Sequence, residues 1–353
     1  MTELLVGTKK GLFVLAGDGD RFEVAARAFA GQSVEYAMHD PRGGRYLASV
    51  TSWFYGPKVW SADDPAGEWA QGEGLELPEG SEQALERIWV IEAGEEDGLV
   101  YAGGDPGPLF ESRDGGRTWA LNRGLWEHPT RPEWQPGGGG LCLHTIAPWP
   151  GDPSRLLVAV SAVGVWLSDD GGASWRHSNA GIVPEYVPEE ARDNPILHCV
   201  HDVRRAPARP ERLFMQFHGG VYRSDDAGAT WIDVGDGLPS DFGFPIVVDP
   251  ADPDSAYVIP LVGAEDRTTP GGSVRVWETR DAGASWEPRS AGLPQEDAYL
   301  TVLREAFDAE SDGGPLGLYF GSTSGEVYGS RDAGASWFTV ATHLPPVHSV
   351  RVA

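Results

Sequence analysis

The chain has 353 residues, which is enough for two average domains or for one larger repetitive domain. Its formal net charge of −26 argues against nucleic acid or an anionic membrane as a partner, because the summed field repels phosphate. No apolar stretch approaches the roughly 20 residues of a membrane span, no secretion signal opens the chain, and two cysteines are too few for a disulfide scaffold. A cytoplasmic location is therefore expected.

An octapeptide recurs along the chain at a nearly constant interval. Its five clear copies are SRDGGRTW (112–119), SDDGGASW (168–175), SDDAGATW (224–231), TRDAGASW (279–286) and SRDAGASW (330–337). Their final tryptophans are separated by 56, 56, 55 and 51 residues, and weaker copies occur in SADDPAGEW (61–69) and GDGDRF (17–22). Together with 47 glycines and 28 prolines, this period predicts an all-β, seven-bladed β-propeller in which each period is one small sheet.

The octapeptide has a mechanical explanation. Its Asp accepts backbone N–H groups in a tight turn, its Gly supplies a positive φ, and its Trp buries a large face between neighbouring sheets. The pattern S/T-x-D-x-G-x-S/T-W resembles the Asp-box (bacterial neuraminidase repeat) families over essentially the whole chain. It is most similar to the single-domain bacterial Asp-box proteins labelled sialidase-like or glycosyl hydrolase, and more distantly to sortilin-type, xyloglucanase and photosystem II assembly-factor propellers.

This resemblance implies that each octapeptide lies on the hairpin between the third and fourth strands of a blade. It also implies a carbohydrate-active site. The Arg-Ile-Pro segment and arginine triad of true sialidases have no counterpart here, so sialidase activity itself is not expected.

Taken in chain order, the first predicted strand is not the first strand of its blade. ELLVGT and GLFVLA are expected to be the second and third strands of the first blade, and the C-terminal VHSVRVA (347–353) supplies its missing first strand and closes the ring. The predicted blades are 1–31 with 344–353, 32–83, 84–139, 140–194, 195–242, 243–297 and 298–343.

Antiparallel connectivity places the octapeptide hairpins and the turns between first and second strands on one face of the propeller. The other face receives the turns between second and third strands and the crossings between blades, which include the long segments 124–140 and 181–195. Long loops in a compact domain are usually functional. The segment EHPTRPEWQPGGGGLCLHTI (127–146) is therefore predicted to form the wall of a site on this crossing-loop face.

Two inner strands carry matching histidines, in Cys142-x-His144 and Cys199-x-His201. Alignment on the turns that follow places Glu35, Trp89, His144, His201 and Phe244 at equivalent positions, with His348 near the same level. Such imidazoles can serve as acid–base groups or bind a transition metal, with His144, His201 and His348 as candidate ligands. Inner-strand histidines that only hydrogen-bond to neighbouring blades are the alternative, and no H-E-x-x-H or C-x-x-C occurs.

Candidate catalytic and ligand-contacting residues cluster on the crossing-loop face. Glycoside hydrolysis needs two carboxylates, and the predicted catalytic set is His144, His201, Glu35, Asp105 and Glu296. The predicted substrate-binding set, in which aromatic side chains would stack on a sugar, is Trp53, Trp89, Trp126, His128, Trp134, His218 and His348.

Three functions follow from these residues. The first is a glycoside hydrolase-like enzyme acting on a carbohydrate or related polar small molecule. The second is a non-catalytic propeller that binds a ligand or a protein partner, since fold alone does not settle function. The third is a metal-dependent hydrolase or lyase that uses the histidines.

Overall fold

Seven four-stranded antiparallel sheets contain the strands of the computed structural model, which describes residues 1–311 and 313–353. The first blade combines β28 (Val347–Val352), β1 (Thr2–Thr8), β2 (Gly11–Asp18) and β3 (Arg21–Ala28). The second and third blades contain β4 (Ser33–Asp40), β5 (Arg45–Ser52), β6 (Gly56–Ala62), β7 (Ala70–Gln71), β8 (Arg87–Ala93), β9 (Val100–Asp105), β10 (Leu109–Ser112) and β11 (Ala120–Leu121).

The remaining four blades repeat the same order from the axis outward. The fourth and fifth contain β12 (Leu143–Trp149), β13 (Asp152–Val160), β14 (Gly164–Ser168), β15 (Arg176–His177), β16 (Val200–Arg205), β17 (Leu213–Phe217), β18 (Gly220–Ser224) and β19 (Ile232–Asp233). The sixth and seventh contain β20 (Gly243–Val248), β21 (Ala256–Pro260), β22 (Val276–Thr279), β23 (Glu287–Arg289), β24 (Phe307–Glu310), β25 (Gly317–Gly321), β26 (Val327–Ser330) and β27 (Phe338–Ala341). The predicted fold class, an all-β seven-bladed β-propeller, is confirmed.

Helical structure is confined to the crossings and turns of one face. The crossing after the third blade holds α1 (Arg123–Trp126) and a 3-10 turn (Arg131–Glu133), and further 3-10 turns lie at Glu189–Ala191 and Pro270–Gly272. None of the helices in the described part of the chain has the length and apolar character of a membrane span.

The ring is closed by the last strand of the chain, as predicted. Strand β28 pairs antiparallel with β1, with Val350 opposite Val6 and Val352 opposite Leu4. Val347 and Val350 are fully buried in this closure. Pairing between the two ends of the chain removes an open edge at the first blade.

The octapeptide hairpins have the geometry that their residue types predict. In the copy of the third blade, Asp114 accepts the Thr118 amide at 2.9 Å and the Thr118 hydroxyl at 2.7 Å, while Ser112 Oγ accepts the Gly116 amide at 2.9 Å. These bonds overcome the effect of burial and lower the pKa of Asp114. The hairpin is therefore a closed set of local hydrogen bonds that the third to seventh blades repeat.

The terminal tryptophan of each hairpin ties its blade to the preceding one. Trp231 of the fifth blade is buried, and its indole N–H donates to the Ser178 carbonyl of the fourth at 2.9 Å. Trp286 of the sixth blade donates in the same way to the Val234 carbonyl at 2.7 Å. The apolar core thus lies between blades, where each tryptophan buries its large face.

We predict that deletion of residues 344–353 opens the ring and lowers the melting temperature by about 10 °C or more. The deletion exposes Val347 and Val350, each worth about 2 kcal/mol of burial, and removes every hydrogen bond between β28 and β1. Differential scanning calorimetry of the truncated chain is the measurement. Deletion of Ala353 alone is the control, and addition of a synthetic 344–353 peptide should restore part of the loss; an unchanged melting curve would refute closure by this strand.

Candidate functional site

The inner strands of the seven blades surround an axial channel that opens into a cavity at each mouth. The crossing-loop cavity, of about 330 Å³, is lined by Trp89, Gly138, Gly139, Ser161, Cys199, His201, His218, Phe242, Phe244, Ala264, Arg267, Leu303 and Arg304. The turn-face cavity, of about 410 Å³, opens between the turns that join first and second strands, and includes Tyr36, His39, Arg42, Glu92, Glu95, Arg204, Arg205, Asp308 and Arg351. The two cavities share no lining residue.

A bulge recurs at the same level of the inner strands, and three of the residues in it, Trp89, His201 and Phe244, line the crossing-loop cavity. In β4, β8, β12, β16 and β28 the pairing register skips one residue, and in β20 it skips two. The skipped residues are Glu35, Trp89, His144, His201, His348, and Phe244 with Pro245. A bulge turns its side chain out of the ladder, which explains why the sequence alignment found these positions to be equivalent.

Aromatic rings form the wall of the crossing-loop cavity. The rings of Phe242 and Phe244 lie 5.3 Å apart, and His201 packs against Phe244 at 5.0 Å. On the other side, the Trp89 ring lies between two guanidinium groups, with Arg87 at 4.6 Å and Arg304 at 5.1 Å from its centroid. Ring faces combined with cations suit a polar ligand that has one flat apolar side.

His201, His218 and Cys199 form a cluster within this cavity. Their ligand atoms lie within 4.8 Å of one another, which is close enough to share one metal ion. His201 Nδ1 donates to the Gly243 carbonyl at 2.5 Å, which leaves Nε2 as a lone-pair acceptor. Burial, with the added charge of Arg304, holds the pKa of His201 well below its usual value, and burial raises the pKa of the Cys199 thiol. All three side chains are therefore uncharged at neutral pH.

His144 and His348 lie elsewhere, so the histidine set expected from sequence is not the one that the fold brings together. His144 is buried, with Nε2 donating to the Val200 carbonyl at 3.0 Å and Nδ1 lying 3.1 Å from Thr145 Oγ1. Both its ring nitrogens therefore have hydrogen-bond partners, one in the next blade and one in its own strand. His348 Nδ1 lies 3.1 Å from a Glu35 carboxylate oxygen. The expected metal set thus shares only His201 with the observed cluster.

The carboxylates expected to be catalytic do not line the crossing-loop cavity. Glu35 is buried, and although burial alone would raise its pKa, His348, Arg87 and Ser33 hold that pKa below its usual value. Burial raises the pKa of Asp105, whose carboxylate lies beside the Cys142 thiol at 3.7 Å. Glu296 is exposed on its crossing. Their catalytic roles stay predictions, without support from a shared cavity.

The aromatic residues expected to contact ligand separate into four environments. Trp89 lines the cavity, whereas Trp53 is 95% exposed on the turn between β5 and β6. Trp126 is covered by the Arg131 guanidinium at 4.4 Å. Trp134 and His128 pack on Trp166 of the fourth blade, with ring centroids 5.1 and 4.8 Å away. These last two side chains stabilise the crossing rather than face a ligand, because the loop folds down between the blades.

The glycine run of the 127–146 segment reaches the cavity, as the sequence predicts. Gly138 and Gly139 form part of its wall. Gly140 has φ +104°, and a Cβ built there would lie 2.2 Å from an Asp105 carboxylate oxygen. A side chain at this position would force the segment away from the channel.

The turn-face cavity has an ionic floor that the sequence did not indicate. Arg204 pairs with Asp202 at 3.1 Å and with Glu305 at 3.2 Å, and Arg351 pairs with the same Glu305. Arg351 Nε donates to the Tyr36 hydroxyl at 2.7 Å. We name these five side chains the axial ionic network; it joins the second, fifth and seventh blades to the closing strand.

Glu92 faces this network without forming a hydrogen bond or ion pair to any described residue. Burial raises its pKa to about 7, although the guanidiniums of Arg204 and Arg351 oppose that shift. Asp308, in the same cavity, instead accepts the Val352 amide at 2.9 Å. The cavity therefore combines a carboxyl group that holds its proton near neutrality with a carboxylate that is hydrogen-bonded as an acceptor.

Comparison with solved structures supports the fold. An ancestral GH74 enzyme matches with a TM-score of 0.61 at 16% identity over 91% of this chain, and the Niastella koreensis GH74 enzyme with 0.57 at 13% over 98%. This chain spans only 38% and 65% of those two proteins. A YCF48 protein solved with a D1 peptide matches with 0.53 at 12% identity, covering 86% of this chain and 84% of its own. No family model and no curated protein matches the sequence. At these identities the likeness shows a shared propeller fold.

We predict that Glu92→Gln stabilises the protein above pH 7 and has little effect below pH 4.5. The raised pKa means that the folded state holds a proton that the unfolded state has released, so stability falls as pH rises from 4.5 to about 7. The full cost above pH 7 is about 3 kcal/mol. Urea unfolding at pH 5 and pH 8 measures it. Glu95→Gln, in the same cavity but paired with Arg42 at 3.0 Å, is the control and should show no such gain; equal stability of wild type and Glu92→Gln at pH 8 would contradict the assignment.

Proposed function

We propose that the protein binds a sugar-sized polar small molecule in the crossing-loop cavity. The observation that carries this proposal is a cavity lined by two side chains that each have a buried N–H donor without a protein partner. Arg304 Nη1 and Trp89 Nε1 are both buried and neither has a hydrogen-bond partner among the described residues. Unsatisfied buried donors are costly, and a ligand with acceptor oxygens removes that cost.

The size and surface of the cavity agree with this class of ligand. Its volume of about 330 Å³ lies at the lower end of small-molecule sites, which span roughly 300–1,000 Å³. Trp89 and Phe244 offer ring faces to the apolar side of a pyranose, and Arg304 and Arg267 offer donors to its oxygens. Two of the compared propellers are GH74 enzymes and a third was solved with a peptide; the carbohydrate class is adopted here on the cavity's own chemistry.

We predict that Trp89→Ala weakens binding of the cognate monosaccharide by at least tenfold. The expected loss comes from the ring face and the indole donor together, each worth about 1 kcal/mol. Isothermal titration calorimetry with D-glucose, N-acetyl-D-glucosamine and D-glucuronate measures it. Trp53→Ala removes an equally large ring that is 95% exposed on the same face and should leave affinity unchanged. Absence of binding for all three sugars, or an equal loss in both variants, would count against the cavity.

A second candidate function is glycosidase-like hydrolysis at the turn-face cavity. The specific observation in its favour is the pairing of Glu92, protonated near neutrality, with the hydrogen-bonded Asp308 in one cavity. A general acid and a separate base or nucleophile are the two groups that glycoside hydrolysis requires. Glu92 would protonate the leaving oxygen, and Asp308 would act on the opposite side of the sugar.

The hydrolase proposal makes its own prediction. Glu92→Gln and Asp308→Asn should each lower the hydrolysis rate of 4-nitrophenyl glycosides by at least 100-fold, while His201→Ala, at the opposite mouth, leaves the rate unchanged. Release of nitrophenolate is the readout. No turnover by wild type over a panel of such glycosides would leave the binding function alone.

A further inference from the structure

Arg304 is a buried cation that forms no ion pair with a described residue: the adjacent carboxylate, Glu305, lies within its field but pairs with Arg204 and Arg351 instead. Arg304 is 7% exposed, and its guanidinium forms no ion pair and no hydrogen bond with any described residue. Two other arginines are equally buried, and both are paired. Arg212 contacts Asp225 and Asp254, and Arg351 contacts Glu305. Burying a charge without an ion-pair partner is costly. We therefore expect a ligand to supply the partner of Arg304.

The surroundings of Arg304 direct that charge into the crossing-loop cavity. Its guanidinium lies 5.1 Å from the Trp89 centroid and 6.0 Å from that of Phe244. Arg267 reaches the same Phe244 ring at 5.6 Å from a different turn. No described residue of the cavity lining is an aspartate or a glutamate. The cavity therefore holds two positive charges and no negative one, in a chain whose net charge is −26.

The neighbouring cluster does not offset this positive charge. Burial holds His201 and His218 uncharged and Cys199 as a thiol, and the charges of Arg304 and Arg267 reinforce the lowered pKa of His201. A metal ion at the cluster would lie beside two guanidinium groups, which repel it. An anion is attracted to the same point. The electrostatics thus favour an anionic over a cationic occupant.

We propose that the crossing-loop cavity captures an oxyanion of its ligand, a carboxylate or a phosphate, between Arg304 and Arg267. This inference rests on the proposed function and names the ligand class: an acidic sugar or a similar small acid, with its ring on Trp89 and Phe244. Guanidinium groups bind carboxylate and phosphate through paired N–H donors, and such charge-assisted bonds are stronger than neutral ones.

Cys199 provides a reporter inside the cavity, since its thiol is one of the lining groups. Its thiolate displaces iodide from iodoacetate, an anion, and from iodoacetamide, a neutral reagent of similar size. The ratio of the two rates, read at Cys199 by peptide mass spectrometry at pH 9, measures charge selectivity. Changes in the thiol pKa cancel in this ratio, because both reagents react with the same thiolate.

For wild type we expect the iodoacetate-to-iodoacetamide ratio at Cys199 to exceed that of free cysteine by at least fivefold, and to fall as salt is added. Arg304→Gln should bring the ratio to within twofold of free cysteine. Arg304→Lys, which keeps the charge, should retain most of it. Arg275→Gln removes an exposed arginine and is the matched control. A wild-type ratio equal to that of free cysteine, or one unchanged by Arg304→Gln, overturns the inference.

Ligand protection separates this inference from the proposed function. D-glucuronate should slow alkylation of Cys199 by iodoacetamide at least tenfold more effectively than D-glucose, and Arg304→Gln should abolish that difference. Equal protection by both sugars would agree with the proposed function but would overturn the inference that the cavity selects an anionic ligand. Protection by neither would overturn the proposed function, while the alkylation ratio still decides the charge of the cavity. The inference of an anionic ligand would also be overturned if the purified protein held one equivalent of transition metal and the His218→Ala variant did not.

Discussion

Closure of the ring by β28 is the constraint on which both cavities depend. The ring around the axis is closed only because the last strand pairs with β1 and supplies the inner strand of the first blade. The same strand brings Arg351 to the axis, where it contacts Glu305 of the seventh blade and the Tyr36 hydroxyl of the second. Arg204 reaches the same Glu305 from the fifth blade. The axial ionic network therefore assembles only in the closed ring, and its buried charges are tolerated because each has a partner from another blade.

Each end of the propeller axis holds one ionisable side chain without a direct partner. At the crossing-loop mouth Arg304 forms no ion pair with a described residue, and at the turn-face mouth Glu92 forms neither an ion pair nor a hydrogen bond with one, although the fields of Arg204 and Arg351 reach it. The net charge of −26 predicts neither, because it describes the field around the molecule and not the pairing of individual buried groups. Buried groups without partners carry a stability cost that folded proteins usually avoid. Where such a group lines a cavity, that cost is a reason to assign the cavity a ligand.

The sequence predicted the fold well because each octapeptide is a local structure, closed by hydrogen bonds within eight residues, as at Asp114. It also aligned the inner-strand positions correctly, since those bulges recur with the same period. It could not distinguish His144 from His201, because a carbonyl of the next blade binds each ring and the difference lies at the other nitrogen. Thr145 Oγ1 contacts that nitrogen in His144, whereas His201 lines the cavity. Arg304 was not among the candidate site residues, because its seventh-blade segment lacks the aligned pattern. The sequence also did not show that the loop of Trp134 folds inward and packs this ring onto Trp166.

Binding and acid–base chemistry are separable in this arrangement. Glu35 and Asp105 were the carboxylates that the sequence placed nearest to the crossing-loop mouth. Glu35 is buried and contacts Arg87 and His348, and Asp105 lies beside the Cys142 thiol. The proposed proton transfer by two carboxylates is therefore assigned to the turn-face cavity, where Glu92 and Asp308 lie. Because the two cavities share no lining residue, one small ligand contacts only one set of groups. Communication between them would pass through Glu305, which follows Arg304 in the chain and bonds to both arginines of the axial ionic network. An anion bound at Arg304 would weaken the field of that guanidinium on Glu305. Coupling between the two cavities would therefore be electrostatic and would act through Glu305.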